Sequence, residues 1–197
     1  MTNKRKSTQK TLILGASLFA LGLMLASPAQ AQDACEDGTG TDSLQCGDNA
    51  DGSGDNSVAI GDNAEATGRD STAVGENARA SEERTVAIGQ NAQASATNST
   101  AVGAFAGATG QNSSALGVFS DAAGNNSTAA GFAAFADSEN SSAFGAFATA
   151  SSNSATAVGT TARATGLRSI SIGADGADAG TLGAVASGSS TPSCECS

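Results

Sequence analysis

Asn56-Ser57-Val58-Ala59-Ile60-Gly61-Asp62-Asn63-Ala64-Glu65-Ala66-Thr67-Gly68 is the stretch that decides the fold, because its pattern returns every fourteen residues. Ser71-Thr72-Ala73-Val74-Gly75 and Thr85-Val86-Ala87-Ile88-Gly89 repeat its first half. The glycine recurs, with no insertion or deletion, at Gly47, Gly61, Gly75, Gly89, Gly103, Gly117, Gly131, Gly145, Gly159 and Gly173. Neighbouring columns keep that register. Alanine stands two before the glycine from Ala59 to Ala157. Ser or Thr stands four before it at Ser57, Ser71, Thr85, Ser99, Ser113, Ser127, Ser141 and Ser169. Further alanines recur three and five after it, as at Ala64 and Ala66. A second small residue recurs seven after it, at Gly54, Gly68, Gly110, Gly124, Gly166 and Gly180.

A fixed period of this kind marks a repeat architecture. Fourteen residues are too few for two helices and a turn. They fit two short strands of about five residues and two tight corners. Glycines half a period apart are expected at corners, where φ is positive or backbones approach closely. Asn56, Asp70, Asn98, Asn112, Asn126 and Asn140 suit the same corner, because Asn and Asp bond local backbone and tolerate the left-handed region. Parallel stacking at about 4.8 Å per coil predicts a rod roughly 45–50 Å long.

Composition supports this and excludes an ordinary core. The chain has no Trp, Tyr or His, and its apolar residues are mostly alanine. Such a chain reads as disordered unless stacked identical coils bury its small side chains against each other. Period two within the first strand sets the faces. Ala59 points into a thin two-layer roll, and Val58 and Ile60 point out; the alternative places the larger row inside and alanine in water. An outward apolar ladder marks a protein–protein interface. Its candidate residues are Val58, Ile60, Val74, Val86, Ile88, Val102, Leu116, Val158, Ile170 and Ile172.

The quoted motif and its copies resemble the head repeat of trimeric autotransporter adhesins, the YadA-like head, over about residues 43–182. The resemblance implies a left-handed parallel β-roll, and three rolls associated along their Val/Ile faces as a homotrimer. It also implies cell adhesion through a host or extracellular-matrix protein. The expected fold class is therefore all-β, a single-stranded parallel β-solenoid of about ten 14-residue coils. The family's neck, stalk and barrel anchor are not read in this chain: it shows no heptad pattern and no run of amphipathic ten-residue strands. A head with no membrane anchor of its own is the expectation.

The ends read differently from the repeat. Lys4, Arg5, Lys6 and Lys10 precede an apolar run from Leu12 to Ala26, and Ala29 and Ala31 flank an expected cut before Gln32. That order is a secretory signal peptide over 1–31, and it predicts export to the surface, the medium or the periplasm. A cap at 32–42 precedes the roll, and a Gly/Ser-rich tail at 183–197 follows it. Four of the nine Lys/Arg leave with the signal, while all nineteen Asp/Glu stay. So acidic a chain has no electrostatic reason to bind nucleic acid or an anionic membrane.

Four cysteines in an exported chain read as disulfides. Cys35 and Cys46 are the natural pair over the first coil, and Cys194 and Cys196 are placed to bond neighbouring subunits. Zinc held by four thiolates is the alternative reading. Phe105, Phe119 and Phe147 lie two after the glycine, where Asn49, Asn63, Asn77 and Asn91 sit in earlier coils. Stacked coils make them a candidate ligand strip, or else a filled corner or subunit contact. The acids Asp48, Asp51, Asp55 and Asp62 read as a solvated face rather than a calcium site. The Asn-Ser-Thr and Asn-Ser-Ser triplets are by-products of the repeat. Without His, no Ser–His or Cys–His pair is available, so neither an enzyme nor a cofactor is expected. An ice-binding solenoid is the other functional class. It needs a regular Thr ladder, and the column three before the glycine is only half Thr-like. A purely structural envelope or matrix subunit is the third.

Overall fold

Most peptide groups of a coil bond to the coil before or after it, and that requirement shapes the molecule. Val58 N–H donates to the Ser71 carbonyl at 2.9 Å, and Gly61 N–H to the Cys46 carbonyl at 2.8 Å. Even the corners are laddered: Asn63 N–H donates to the Asp48 carbonyl at 2.8 Å. The structure, a computed structural model, describes residues 35–173 and the backbone of Val185–Ser187. The expected signal peptide at 1–31, Cys194, Cys196 and most of the tail lie outside the described residues.

Among the described residues the protein is all-β, a solenoid of about nine turns. Three-residue strands, from Leu44–Cys46 and Val58–Ile60 to Ile170–Ile172, form one sheet. Two-residue strands, from Glu65–Ala66 to Arg163–Ala164, form the other. Pairing along both is parallel and shifted by one coil, so Ala59 faces Ala73 and Ala66 faces Ala80. At the start, Glu36–Asp37 pairs antiparallel with Leu44–Cys46. At the other end, Val185–Ser187 pairs parallel with Ile170–Ile172.

The strands are shorter than the five residues expected. The reason lies in the backbone. A residue in the left-handed region recurs every seventh position, from Asp42, Asn49 and Asn56 to Thr161 and Arg168. Each one turns the chain, leaving room for only two or three pleated residues between corners. Asn tolerates this region because its short polar side chain bonds locally. The two grounds expected for corner glycines divide between the two columns. The repeating glycine has positive φ, between +117° at Gly173 and +143° at Gly131. The other small column does not: Gly54 and Gly68 have ordinary φ. What constrains Gly68 is contact, since a Cβ there would overlap the Glu82 carbonyl of the next coil.

The core is made of alanine. Ala59, Ala64, Ala66 and their counterparts in later coils are fully buried, with the Ser/Thr column beside them. Alanine loses no side-chain entropy on burial, and its size lets two sheets lie close together. Thr85 Oγ1 donates to the Glu82 carbonyl at 2.7 Å and Ser141 Oγ to the Ser138 carbonyl at 2.6 Å, tying the second corner. The first coil is covered by the Glu36–Asp37 strand, which the Cys35–Cys46 disulfide holds in place. Thr41 N–H donates to Asp55 Oδ1 across one coil at 2.9 Å, and this bond holds the Asp55 carboxyl below its usual range.

Two glycines test these constraints in opposite directions. A Cβ at Gly61 would lie 2.7 Å from the Gly75 carbonyl, on a φ of +127°. Gly61→Ala should destabilise the roll by about 3 kcal/mol, given the left-handed cost and the forced separation of coils. Gly107 has ordinary φ, and the nearest atom to a Cβ there is Asp121 Oδ1 at 3.5 Å. Gly107→Ala should be neutral or stabilising by up to about 1 kcal/mol. Denaturant midpoints read by circular dichroism measure both.

Candidate docking surface

Three outer surfaces follow from the pleat. The first is the outer side of the three-residue strands. Here Ala59 is buried, Val58 is half-buried and Ile60 is exposed, and the same order returns at Val86, Ala87 and Ile88. Alanine is therefore inside and the larger row outside, as period two predicts. All ten candidate interface residues lie on this face. Ile60, Ile88, Leu116, Val158, Ile170 and Ile172 are exposed, and Val58, Val74, Val86 and Val102 are half-buried. The two rows do not run unchanged. The row three before the glycine is Val58, Thr72 and Val86 at first. It then carries only hydroxyls through Thr100, Ser114, Thr128, Ser142 and Thr156, before Ile170. No unbroken threonine lattice forms on it.

The second surface is the corner after the glycine. Asn63, Asn77 and Asn91 occupy its left-handed position in the early coils, with φ of 54–55°. Phe105, Phe119 and Phe147 occupy the same position with φ of 58°. The rings of Phe105 and Phe119 stack, with centroids 5.1 Å apart and planes at 11°. Phe132 continues the ladder edge-on, 6.1 Å from Phe119 and 5.2 Å from Phe147. Phe132 lies one place out of the column of Phe105, Phe119 and Phe147. Ala133 takes the left-handed position in that coil, and Phe132, one residue earlier, sends its ring into the gap. Phe144 and Phe135 stand elsewhere, on the long-strand face and on the opposite sheet.

The energetics of this ladder are unusual. Left-handed backbone costs a residue without a local hydrogen-bonding side chain roughly 1–2 kcal/mol. A ring contact returns about 0.5–1.5 kcal/mol. The rings nonetheless remain half in water, from 47% exposed at Phe132 to 50% at Phe147. Covering the open half of one ring, about 100 Å², would stabilise by about 2.5 kcal/mol.

The third surface is the two-residue-strand sheet with the corner that follows it. It carries charge and amide ladders between coils. On the sheet Arg79 pairs with Glu65 at 3.1 Å; at the corner Arg69 pairs with Glu83, and Asn98, Asn112 and Asn126 link side chain to side chain at 2.8 and 3.1 Å. A shallow polar depression beside Asn77, Arg79, Asn91 and Gln93 opens to solvent. No group of three or more metal-ligating side chains is present among the described residues. Further along, partial burial raises the Asp121 pKa, helped by the charge of Asp137, and burial raises that of Asp137 as well.

Comparison with known families bears directly on these coils. Residues 53–78, 66–92, 80–106, 108–134, 122–148, 136–162 and 150–175 each match the YadA head domain repeat. The chain belongs to the YadA head repeat family. No curated protein matched it. The YadA head windows include the apolar rows from Val58 to Ile172 and all four rings of the corner ladder. The departure from the repeat's own Asn at Phe105, Phe119 and Phe147 thus occurs inside regular YadA head coils, without a change of period.

The two aspartates give this surface a pH signature. A carboxyl whose pKa rises on folding favours the folded state only at low pH, and that contribution is lost as pH climbs through the folded value. At pH 7 the charged Asp121 is therefore a burden on the roll. Asp121→Asn should raise the denaturation midpoint at pH 7 and leave it unchanged at pH 3. Equilibrium unfolding at the two pH values reads the difference.

Proposed function

We propose that this chain is an adhesin head module of the trimeric autotransporter type. The long-strand face packs against sister copies to form a homotrimer, and the outer surfaces of the assembled rod bind a host or extracellular-matrix protein at the cell surface after export. The observation that carries the reading is the unbroken apolar row from Ile60 to Ile172, which stands in water along the whole length of a YadA head roll. A single chain rarely exposes a contiguous apolar strip of that extent, and every coil from Ile60 to Ile172 contributes an apolar side chain to it, Ala130 the smallest and Phe144 the largest. The acidic charge and the polar ladders of the opposite sheet keep the assembled rod soluble. An ice-binding role receives less support, because Val58, Val86, Ser114 and Ser142 interrupt the threonine row.

Sedimentation of the purified protein, with and without reductant, tests the assembly. The expected mass is three chains, and the double variant Ile60→Asp/Ile88→Asp should release single chains that still show β-type circular dichroism. A wild-type protein that sediments as one chain removes the proposal. Beads coated with the protein should adhere to host cells or matrix, and uncoated beads should not. Failure to adhere to any such surface leaves only a structural role.

A further inference from the structure

We infer that the phenylalanine ladder is part of the contact between copies of this chain, and is covered in the assembly by the long-strand face of a sister copy. The inference rests on the self-association proposed above and says where its second patch lies. The first support is continuity. Leu116 runs through Gly117 and Val118 into Phe119, and Phe144 runs through Gly145 and Ala146 into Phe147. No polar residue separates the apolar row from the rings. In an early coil the same path is Ile60, Gly61, Asp62, Asn63, and the apolar surface stops at the corner.

The second support is reciprocity. The corner gains phenylalanine over the four coils from Thr100 to Ser142, in which the row three before the glycine carries only hydroxyls; the coils of Thr72 and Thr156, with Asn77 and Thr161 at the corner, do not share the exchange. The apolar stripe keeps its breadth and moves sideways across the row that contains Leu116. A strip for an unrelated ligand would be added to an unchanged face. The stripe moves toward the corner in the middle coils and returns with Ile170, as it would where a sister copy of equal length lies against that corner at mid-rod. The third support is symmetry. A closed ring of more than two copies needs two different patches on each, one meeting the other on the next copy. The long-strand face and the adjoining corner are two such patches. Coverage by a sister copy also accounts for rings kept in a costly backbone conformation and half in water.

The triple variant Phe105→Asn/Phe119→Asn/Phe147→Asn decides the matter. It installs the residue that Asn63, Asn77 and Asn91 already supply at this position, so the roll should keep its circular dichroism. Sedimentation equilibrium should show association weakened more than tenfold, and the denaturant concentration that separates the copies should fall. Phe135→Thr is the control. It lies on the opposite sheet, where Thr149 stands one coil later, and it should leave association unchanged. If the triple variant associates like wild type, the inference is overturned while the adhesin reading stands. Unchanged association with loss of bead adhesion would make the ladder a ligand strip instead, which also overturns it. A wild-type protein that is a single chain defeats both readings.

Discussion

Close approach of one coil to the next is the constraint on which the rest of this molecule depends. The coils are held chiefly by main-chain hydrogen bonds at both sheets and at both corners, with side chains such as Asp55 and Asn125 standing in at a few corner positions. Such bonds require adjacent backbones to lie about 4.8 Å apart everywhere around the coil. At the Gly61 corner a side chain would strike the carbonyl of Gly75. The invariant column is thus a steric consequence of stacking as much as a conformational one. From the same constraint follows the alanine core. Two sheets joined by corners this tight leave space for the methyl group of alanine and the small hydroxyl side chains of Ser57 and Thr85, the largest of the fully buried side chains being that of Thr85.

Because the backbone supplies cohesion along the rod and alanine fills the interior, the larger apolar side chains have no interior place to go. They emerge on the long-strand face and at one corner. This inverts the usual relation between core and surface in a globular domain. The best-buried residues here are the smallest, and the bulkiest are the most exposed. Hydrophobic stabilisation roughly follows apolar area removed from water, so much of what this sequence has to offer is unrealised in an isolated chain. An isolated roll is in that sense an incomplete object, and the same feature that makes the fold economical directs it toward association.

Much of the architecture was legible in the sequence because a repeat states each structural requirement many times. The period, the inward alanine of Ala59 and its outward neighbours, and the pairing of like residues in successive coils all follow from register alone. The strand lengths did not. They depend on which residues adopt the left-handed backbone, and Phe105, Phe119, Ala133 and Thr161 do so although none has the local preference that Asn has. Their neighbours in the adjacent coils impose it. Nor could the sequence say that Gly54 and Gly47 are glycine for different reasons, since both appear simply as small residues at corners. The fourth ring of the ladder was missed for a related reason: Phe132 is one place out of column, and only a three-dimensional path brings it between Phe119 and Phe147. The docking surface was thus readable as rows, and its sideways shift became visible once the corner and the face could be seen as neighbours.

The reversed strand Glu36–Asp37, tied through Cys35 to Cys46, sets a direction on the whole object. An open parallel edge of identical rungs is a template on which further chains can add, as in cross-β fibres. A two-residue antiparallel strand carrying two acids offers a stranger little to pair with. At this end the roll therefore shares the lattice of a fibre but offers no open rung on which another could be laid.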